Sequence, residues 1–156
     1  MDDTDRLLLS HLQEDATQSY ATLGAAVGLS TAATHERVRK LRERGVIRRT
    51  TIDVDPAAAG RGVLAFVMIE ADAWIGGQET GAALRALPWV EEAHIVAGGP
   101  SVLAKIRTAT TADLQGVLKA IYDIDGVTGT GTIVVLDTFF ERPLDVSAMP
   151  SGAGRG

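Results

Sequence analysis

Four polar side chains recur at intervals of three or four residues between positions 30 and 44. Thr31, His35, Arg39 and Arg42 fall on one side of a helix at this spacing. Hydroxyl and imidazole groups can hydrogen-bond to base edges, and the guanidinium fork fits both guanine and phosphate oxygens. The pattern indicates contact with the major groove of duplex DNA. The alternative is an ordinary amphipathic helix whose basic face is solvated.

The residues around this stripe predict a helix-turn-helix. Ser19 can cap a short helix over Tyr20–Val27, and Gly28 supplies the tight turn after it. Ser30 can cap a second helix that stops at Gly45. The inward side of this second helix carries Thr34, Val38 and Leu41.

A further helix is predicted before the helix-turn-helix, from Asp3 to Gln13 with Asp2 as its cap. Its apolar side can cover the other two helices, so residues 1–47 form a three-helix, winged-helix-like domain. The N-terminal part of the second helix in such a motif reaches base edges. Arg37 either contacts DNA or pairs with an acid of the first helix such as Asp5, and the two roles stay open. The predicted DNA-binding residues are Ser30, Thr31, Ala32, His35, Arg37, Arg39 and Arg42.

The distribution of charge fits a protein that binds DNA through one face. The whole chain carries a formal net charge of −5. Residues 35–50 hold seven arginines and lysines against two glutamates, which leaves +5 there and −10 elsewhere. Electrostatic attraction to DNA is then modest for each subunit, and useful affinity needs a dimer or a larger assembly.

Length and composition bound the class of protein. The 156 residues are 46% hydrophobic and include no cysteine, which excludes disulfides and thiolate metal sites. No apolar run is long enough to cross a membrane, and the acidic N-terminus lacks the basic segment of a secretory signal. We expect a cytoplasmic protein with no membrane association and no cofactor.

The second half of the chain predicts an α+β domain. Residues 48–61 form a linker, in which Arg48–Val54 has strand character and Asp55-Pro56 breaks the strand before a small-residue hinge. Residues 62–142 read as a ferredoxin-like β-α-β-β-α-β domain. Its expected elements are strand Val63–Ala71, helix Gln78–Leu87, strands Val90–Ala97 and Val102–Thr108, a helix capped by Thr111, and a long strand Val127–Phe140.

One face of the predicted sheet is left apolar by Leu64, Phe66 and Met68. Bare apolar faces of this kind usually mark association, so a dimer is expected. Residues 143–156 are predicted to form a flexible tail because their last part is rich in Gly, Ser, Ala and Pro.

The order of these elements, and the residues at their junctions, resemble the Lrp/AsnC transcriptional regulators of bacteria and archaea, also called leucine-responsive or feast/famine proteins. The resemblance covers roughly residues 2–140. It is carried by Asp2, Asp5-Arg6, Leu8-Leu9, Leu23-Gly24, Gly28-Leu29-Ser30, Arg37-Val38, Leu41, Gly45-Val46-Ile47, Gly98, Gly126-Val127 and Thr130-Gly131-Thr132.

The resemblance implies a regulator that binds double-stranded DNA and responds to a small effector. In this family the second half, called the RAM domain and similar to ACT domains, dimerises and assembles further to tetramers or octamers. Many members bind an amino acid between dimers through a Gly-x-x-Asp motif. The matching stretch here is Gly98-Gly99-Pro100-Ser101, so an uncharged serine replaces the aspartate. The predicted effector residues are Gly98, Gly99, Ser101, Thr130 and Thr132.

The replacement of the aspartate leaves the effector open. A serine hydroxyl can accept from an ammonium group but adds no charge, so the effector is weakly bound, of another class, or absent. The backbone amides of Gly98, Gly99 and Ser101 can still form a nest for a carboxylate.

Catalytic and metal sites are not expected. His11, His35 and His94 have no ligand spacing, and adjacent Glu91 and Glu92 are predicted to point to opposite faces of a strand. We predict no enzyme and no bound metal. Two alternatives share the architecture: an enzyme similar to sirohaem decarboxylases, and a DNA-organising protein without a ligand.

Overall fold

The computed structural model describes residues 1–71 and 78–147, and the chain divides into two compact units. Of the described residues, the first unit contains 1–52 and 140–147, and the second contains 53–71 and 78–139. In the described ranges, no helix has the length and apolarity needed to cross a membrane. The predicted tail lies outside the described residues beyond position 147.

The first unit is a three-helix bundle in which each helix begins after a strong capping residue. Its helices are α1 (Asp3–Glu14), α2 (Tyr20–Val27) and α3 (Thr31–Glu43). Asp2, Ser19 and Ser30 each accept a hydrogen bond from the backbone amide three residues later. The core between the helices consists of Leu8, Leu9, Leu23, Val38 and Leu41, which are at most 8% exposed. All three helices and their caps are confirmed.

The second unit is a four-stranded antiparallel sheet with two helices. Its elements are β1 (Val63–Ala71), α4 (Gln78–Ala86), β2 (Val90–Ile95), β3 (Val102–Thr108), α5 (Thr111–Tyr122) and β4 (Val127–Val134). The strand order β2-β3-β1-β4 is that of a ferredoxin-like fold, as predicted.

The two faces of the sheet differ in what covers them. Alternate residues of β1 and β3 pack with both helices into one core, which contains Ala65, Val67, Ile69, Leu84, Val102, Ala104, Ile106, Leu114, Val117 and Ile121. The intervening residues form the opposite face, which we call the open face. There Phe66 lies between Lys105 of β3 and Ile133 of β4, and Met68 lies between Leu103 and Gly131.

One predicted strand is absent, and two predicted strands end earlier than expected. Residues 48–55 form no strand, and Ile52 and Val54 are 79% and 53% exposed, because strand propensity needs a paired neighbour to be realised. β4 ends at Val134 rather than Phe140 because β1 begins at Val63, so no strand lies opposite the later residues. β2 ends at Ile95 rather than Ala97, where the turn to β3 begins.

The cap of α5 is Thr110 rather than Thr111. The Thr110 hydroxyl accepts from the Asp113 amide at 3.1 Å, and the Asp113 carboxylate accepts from the Thr110 amide at 3.0 Å. This reciprocal pair is a capping box, which requires an acid three residues after the cap.

Candidate nucleic-acid interface

The turn between α2 and α3 is held by an unusually close approach at Gly24. A Cβ atom added to Gly24 would lie 2.6 Å from the Leu29 carbonyl oxygen and 2.7 Å from Thr34 Oγ1. The Leu29 amide donates to the Gly24 carbonyl at 2.8 Å, and Gly28 takes the left-handed φ of 72° that ends α2. Only a residue without a side chain lets α3 sit at this distance from α2.

The predicted base-reading residues stand on the exposed side of α3. Thr31, Ala32 and His35 are exposed in its first two turns, whereas Thr34 and Val38 are fully buried. Ser30 is exposed too, but its hydroxyl oxygen already accepts from the Ala33 amide at 3.2 Å. Ser30 therefore has its hydroxyl proton left to offer a ligand.

Arg37 forms ion pairs inside the three-helix bundle. One of its terminal nitrogens, Nη1, donates to Asp2 at 2.7 Å and to Asp5 at 2.8 Å, which ties α3 to the start of α1. The hydrogen bond to Asp2 is the main reason that the pKa of Arg37 is raised. Asp2, in turn, has a lowered pKa, chiefly because its carboxylate accepts from the Asp5 amide. Of the two roles open for Arg37, the structure favours the ion pair within the bundle.

Arg39 is exposed but neutralised by its own helix. Its guanidinium donates two parallel hydrogen bonds to Glu36, at 2.8 and 2.7 Å, and also pairs with Glu43. The bonds from Arg39 lower the pKa of Glu36 to about 2. Because the pKa of Glu36 is lowered, the ion pair between Glu36 and Arg39 is fully present above the ordinary pKa of a glutamate. It is lost as the pH falls through about 2, when Glu36 becomes protonated. Mild acid therefore does not free Arg39.

Tyr20, His35 and Arg42 form a cluster on the same exposed side. The Tyr20 and His35 rings meet edge to face with centroids 5.0 Å apart and planes at 88°. Arg42 Nη1 donates to the Tyr20 hydroxyl at 3.2 Å. Arg42 has no carboxylate partner in the described parts of the chain, in contrast to Arg37 and Arg39.

The glycine turn predicted to hold an effector is present between β2 and β3. Gly98 has a φ of 134°, and both Gly98 and Gly99 are exposed. The predicted anion nest needs a correction, because the Ser101 amide already donates to the Ile69 carbonyl at 2.9 Å. In this turn the amides of Gly98 and Gly99 can still donate hydrogen bonds to a carboxylate.

The two predicted threonines lie on the helix-covered side of the sheet. Thr130 and Thr132 of β4 are the register partners of Ile69 and Val67, whose side chains are in the core. Thr130 and Ser101 both adjoin Ile69 from opposite strands, so two strand spacings separate them, which is about 10 Å. The structure places Thr130 at the end of the sheet that carries the turn, without direct contact, and Thr132 nearer the middle of the sheet, opposite Val67.

Glu91 and Glu92 do not point to opposite faces, so that prediction is wrong. The register between β2 and β3 shifts between Val90 and Glu92, and the resulting irregularity turns both carboxylates toward Lys105. Lys105 Nζ lies 3.6 Å from Glu91 and 3.9 Å from Glu92. In residues 1–71 and 78–147, no group of three or more His, Asp or Glu is arranged to hold a metal ion.

Comparison with protein families decides what this arrangement belongs to. The model of the AsnC-type helix-turn-helix domain matches residues 1–42, and that of the Lrp/AsnC ligand binding domain matches residues 64–145. The chain belongs to the Lrp/AsnC family. It is an Lrp/AsnC-type DNA-binding transcriptional regulator with an effector-binding domain, which confirms the fold and function predicted from the sequence.

Individual relatives match the Lrp/AsnC chain over nearly its whole length. The transcriptional regulator FL11 of Pyrococcus horikoshii is 35% identical over 90% of this chain and 93% of its own. The structure of E. coli AsnC superposes with a TM-score of 0.86 at 32% identity, covering 93% of this chain and 98% of that one. A feast or famine regulatory protein of M. tuberculosis, solved in complex with L-methionine, gives 0.82 at 31% identity, covering 90% and 95%.

Sequence reasoning about the Lrp/AsnC site missed two residues. Gly24 could have been found, because a glycine inside a helix beside a Gly-Leu-Ser turn indicates close packing. Tyr20 could not, because no pattern in the sequence places its ring beside His35.

Proposed function

We propose that this Lrp/AsnC regulator reads its operator with the first two turns of α3. Thr31, Ala32 and His35 contact base edges, and Arg39 and Arg42 contact phosphates. The observation that carries the proposal is the exposure of all five on one side of α3, while the other side is buried in the bundle. Arg37 is left out because Asp2 and Asp5 hold it.

The test uses the full chain and a duplex selected by the wild-type protein from a random-sequence library. Fluorescence anisotropy across a salt series gives the affinity and its salt dependence. A regulator that contacts phosphates with basic side chains loses affinity steeply with salt, with a slope of about −0.9 per neutralised phosphate. Failure to select any sequence, together with salt-independent binding, would overturn the proposal.

Glu36→Gln should strengthen DNA binding several-fold. Glu36 holds Arg39 with two hydrogen bonds and adds a negative charge on the helix that approaches phosphates. Removing that charge frees the guanidinium for a phosphate oxygen, so both the affinity and the magnitude of the salt slope should rise. The same anisotropy series measures both quantities.

The matched control for Glu36→Gln is Glu14→Gln, which removes the same charge from an exposed position at the end of α1. Its effect on affinity should be much smaller, because the charge of Glu14 is not held against a cation proposed to meet DNA. Equal gains from the two variants would show that only net charge matters and would remove Arg39 from the interface.

We further propose that a second copy of the chain covers the open face. A pseudopalindromic operator needs two recognition helices about 34 Å apart, which one chain cannot provide. Phe66, Met68 and Leu103 give that face an apolar centre, and Ile133 beside them is 55% exposed. Higher assembly to tetramers or octamers is proposed from the family resemblance alone.

For the effector, we propose that the turn at Gly98–Ser101 binds simple amino acids weakly and that its own ligand belongs to another chemical class. The M. tuberculosis relative was solved with L-methionine, and a carboxylate suits the ammonium of such a ligand. Ser101 offers no charge, and its amide is already bonded to Ile69. Gly98 and Gly99 remain as amide donors. Thr130, about 10 Å from Ser101, and Thr132, two residues further along β4, are proposed to offer hydroxyl groups to the same ligand.

Ser101→Asp should create or strengthen amino-acid binding by about tenfold, since a charged partner contributes about 1–2 kcal/mol more than a neutral one. The measurement is a thermal-shift titration with leucine and methionine. Ser101→Asn is the control, because asparagine has nearly the same shape as aspartate but no charge. It should not gain affinity for either amino acid. Tight binding of either amino acid by the wild type, undiminished in Ser101→Ala, would contradict the proposed weak site.

We infer that the chain is not an enzyme and acts in the cytoplasm, where its DNA would be. Its relatives carry the names of transcriptional regulators. The adjacent carboxylates Glu91 and Glu92 are paired with Lys105. No observation on the described residues favours the sirohaem-decarboxylase-like alternative.

A further inference from the structure

We propose that Tyr20 is a specificity-determining residue of the DNA interface with two separable roles. Its ring orients His35 for base contact, and its hydroxyl joins Arg42 in holding one phosphate. The inference rests on the proposed DNA-binding function of α3 and adds a residue from α2 to it.

The ring of Tyr20 fixes the direction of His35. An exposed histidine on a helix can rotate about both of its side-chain bonds, and contact with a base edge would have to stop that rotation. The edge-to-face packing at 5.0 Å is a preferred geometry for aromatic pairs, so it restricts the imidazole before DNA arrives. Tyr20 itself is half-buried and begins α2, whose Leu23 is fully buried, so the ring is carried on a fixed element.

The hydroxyl of Tyr20 and the guanidinium of Arg42 together present donors to one anion. Arg42 Nη1 donates to the hydroxyl oxygen at 3.2 Å, which leaves the phenolic proton free to be donated onward. The other N–H groups of Arg42 have no carboxylate partner in the described part of the chain. A phosphate oxygen beside the pair would accept from the phenol and from Arg42 at once, which is the geometry of a charge-assisted contact.

The two roles predict different effects of removing the hydroxyl and the ring. A phosphate contact carries no sequence information, so losing the hydroxyl should weaken binding to every duplex alike. A histidine that is no longer oriented should weaken binding to the selected sequence only. The phenol is neutral, so neither change should alter the number of phosphates neutralised or the salt slope.

The experiment compares Tyr20→Phe and Tyr20→Leu in the full chain, using the duplex selected by the wild type and a scrambled duplex of equal length. Tyr20→Phe should lower affinity about fivefold to tenfold on both duplexes and leave their ratio unchanged. Tyr20→Leu should in addition lower the ratio about tenfold. His35→Ala should lower the ratio by a similar factor, and the double variant should lower it no further, because the two residues act as one unit.

Tyr122→Phe and Tyr122→Leu provide the same chemical changes at an exposed tyrosine of the second unit and should leave both affinities unchanged. Melting temperatures report folding. If Tyr20→Leu unfolds the bundle, Tyr20→Phe still decides the role of the hydroxyl, and an unchanged ratio in His35→Ala would still overturn the role of the ring. An unchanged affinity of Tyr20→Phe and an unchanged ratio in Tyr20→Leu, with normal wild-type binding, would overturn this inference alone. A wild type that selects no sequence would overturn the proposed function as well.

Discussion

Gly24→Ala should lower the free energy of unfolding of the first unit by about 2 kcal/mol, the middle of the range for overpacking a tight contact. The new methyl group would lie 2.6 Å from the Leu29 carbonyl oxygen and 2.7 Å from Thr34 Oγ1. Thr34 can rotate only by giving up its hydrogen bond to the Ser30 carbonyl, and the Leu29 carbonyl is backbone. The helix-turn-helix must therefore open, which displaces α3 and also weakens DNA binding.

Thermal unfolding of the full chain by circular dichroism measures this loss. The control is Gly116→Ala, since Gly116 lies inside α5 and a Cβ there meets nothing within 4 Å. That substitution should stabilise the second unit by about 0.5–1 kcal/mol, because alanine favours a helix over glycine. Opposite signs at the two glycines are expected. A stabilising effect at Gly24 would show that α2 and α3 separate without cost.

The helices of the first unit could be predicted from sequence because their ends are set locally. Asp2, Ser19 and Ser30 cap through the amide three residues later, so both partners lie within one turn. The same local rule places the cap of α5 at Thr110 rather than Thr111, since only Thr110 has an acid at the third following position.

Features that depend on distant partners could not be predicted. Residues 48–54 have the composition of a strand, but a strand forms only where a neighbour pairs with it. The shift of register at Glu91 depends on how β2 meets β3, and alternation along one strand does not reveal it.

The positions of the candidate DNA-binding residues on α3 could be predicted from the sequence, but their ion pairs could not. Spacing placed Thr31, His35, Arg39 and Arg42 together because helical periodicity is fixed. The spacing does not show which of these arginines form ion pairs within the protein. Arg39 does so because Glu36 and Glu43 lie beside it on the same helix. Arg42 donates a hydrogen bond to Tyr20 of another helix, and this contact depends on how α2 packs on α3.

Phe66→Glu should convert the proposed dimer to a monomer and lower affinity for a two-site operator at least a hundredfold. Phe66 lies at the centre of the open face between Lys105 and Ile133. A second copy in this position would bury the new carboxylate in an apolar interface, and a charge without a partner there is costly. Loss of the dimer removes the gain in affinity from two linked recognition helices, which is about 10²–10⁴.

Sedimentation velocity and anisotropy with the wild-type-selected duplex measure the two effects. The monomer should stay folded, because its open face would then be solvated and the new carboxylate, opposite a Lys105 already paired with Glu91 and Glu92, would remain in water. Ile95→Glu is the matched control: Ile95 is 57% exposed and pairs with Val102, which places it on the opposite side of the sheet. It should leave the dimer intact. A Phe66→Glu protein that still sediments as a dimer would show that the chains associate through another surface.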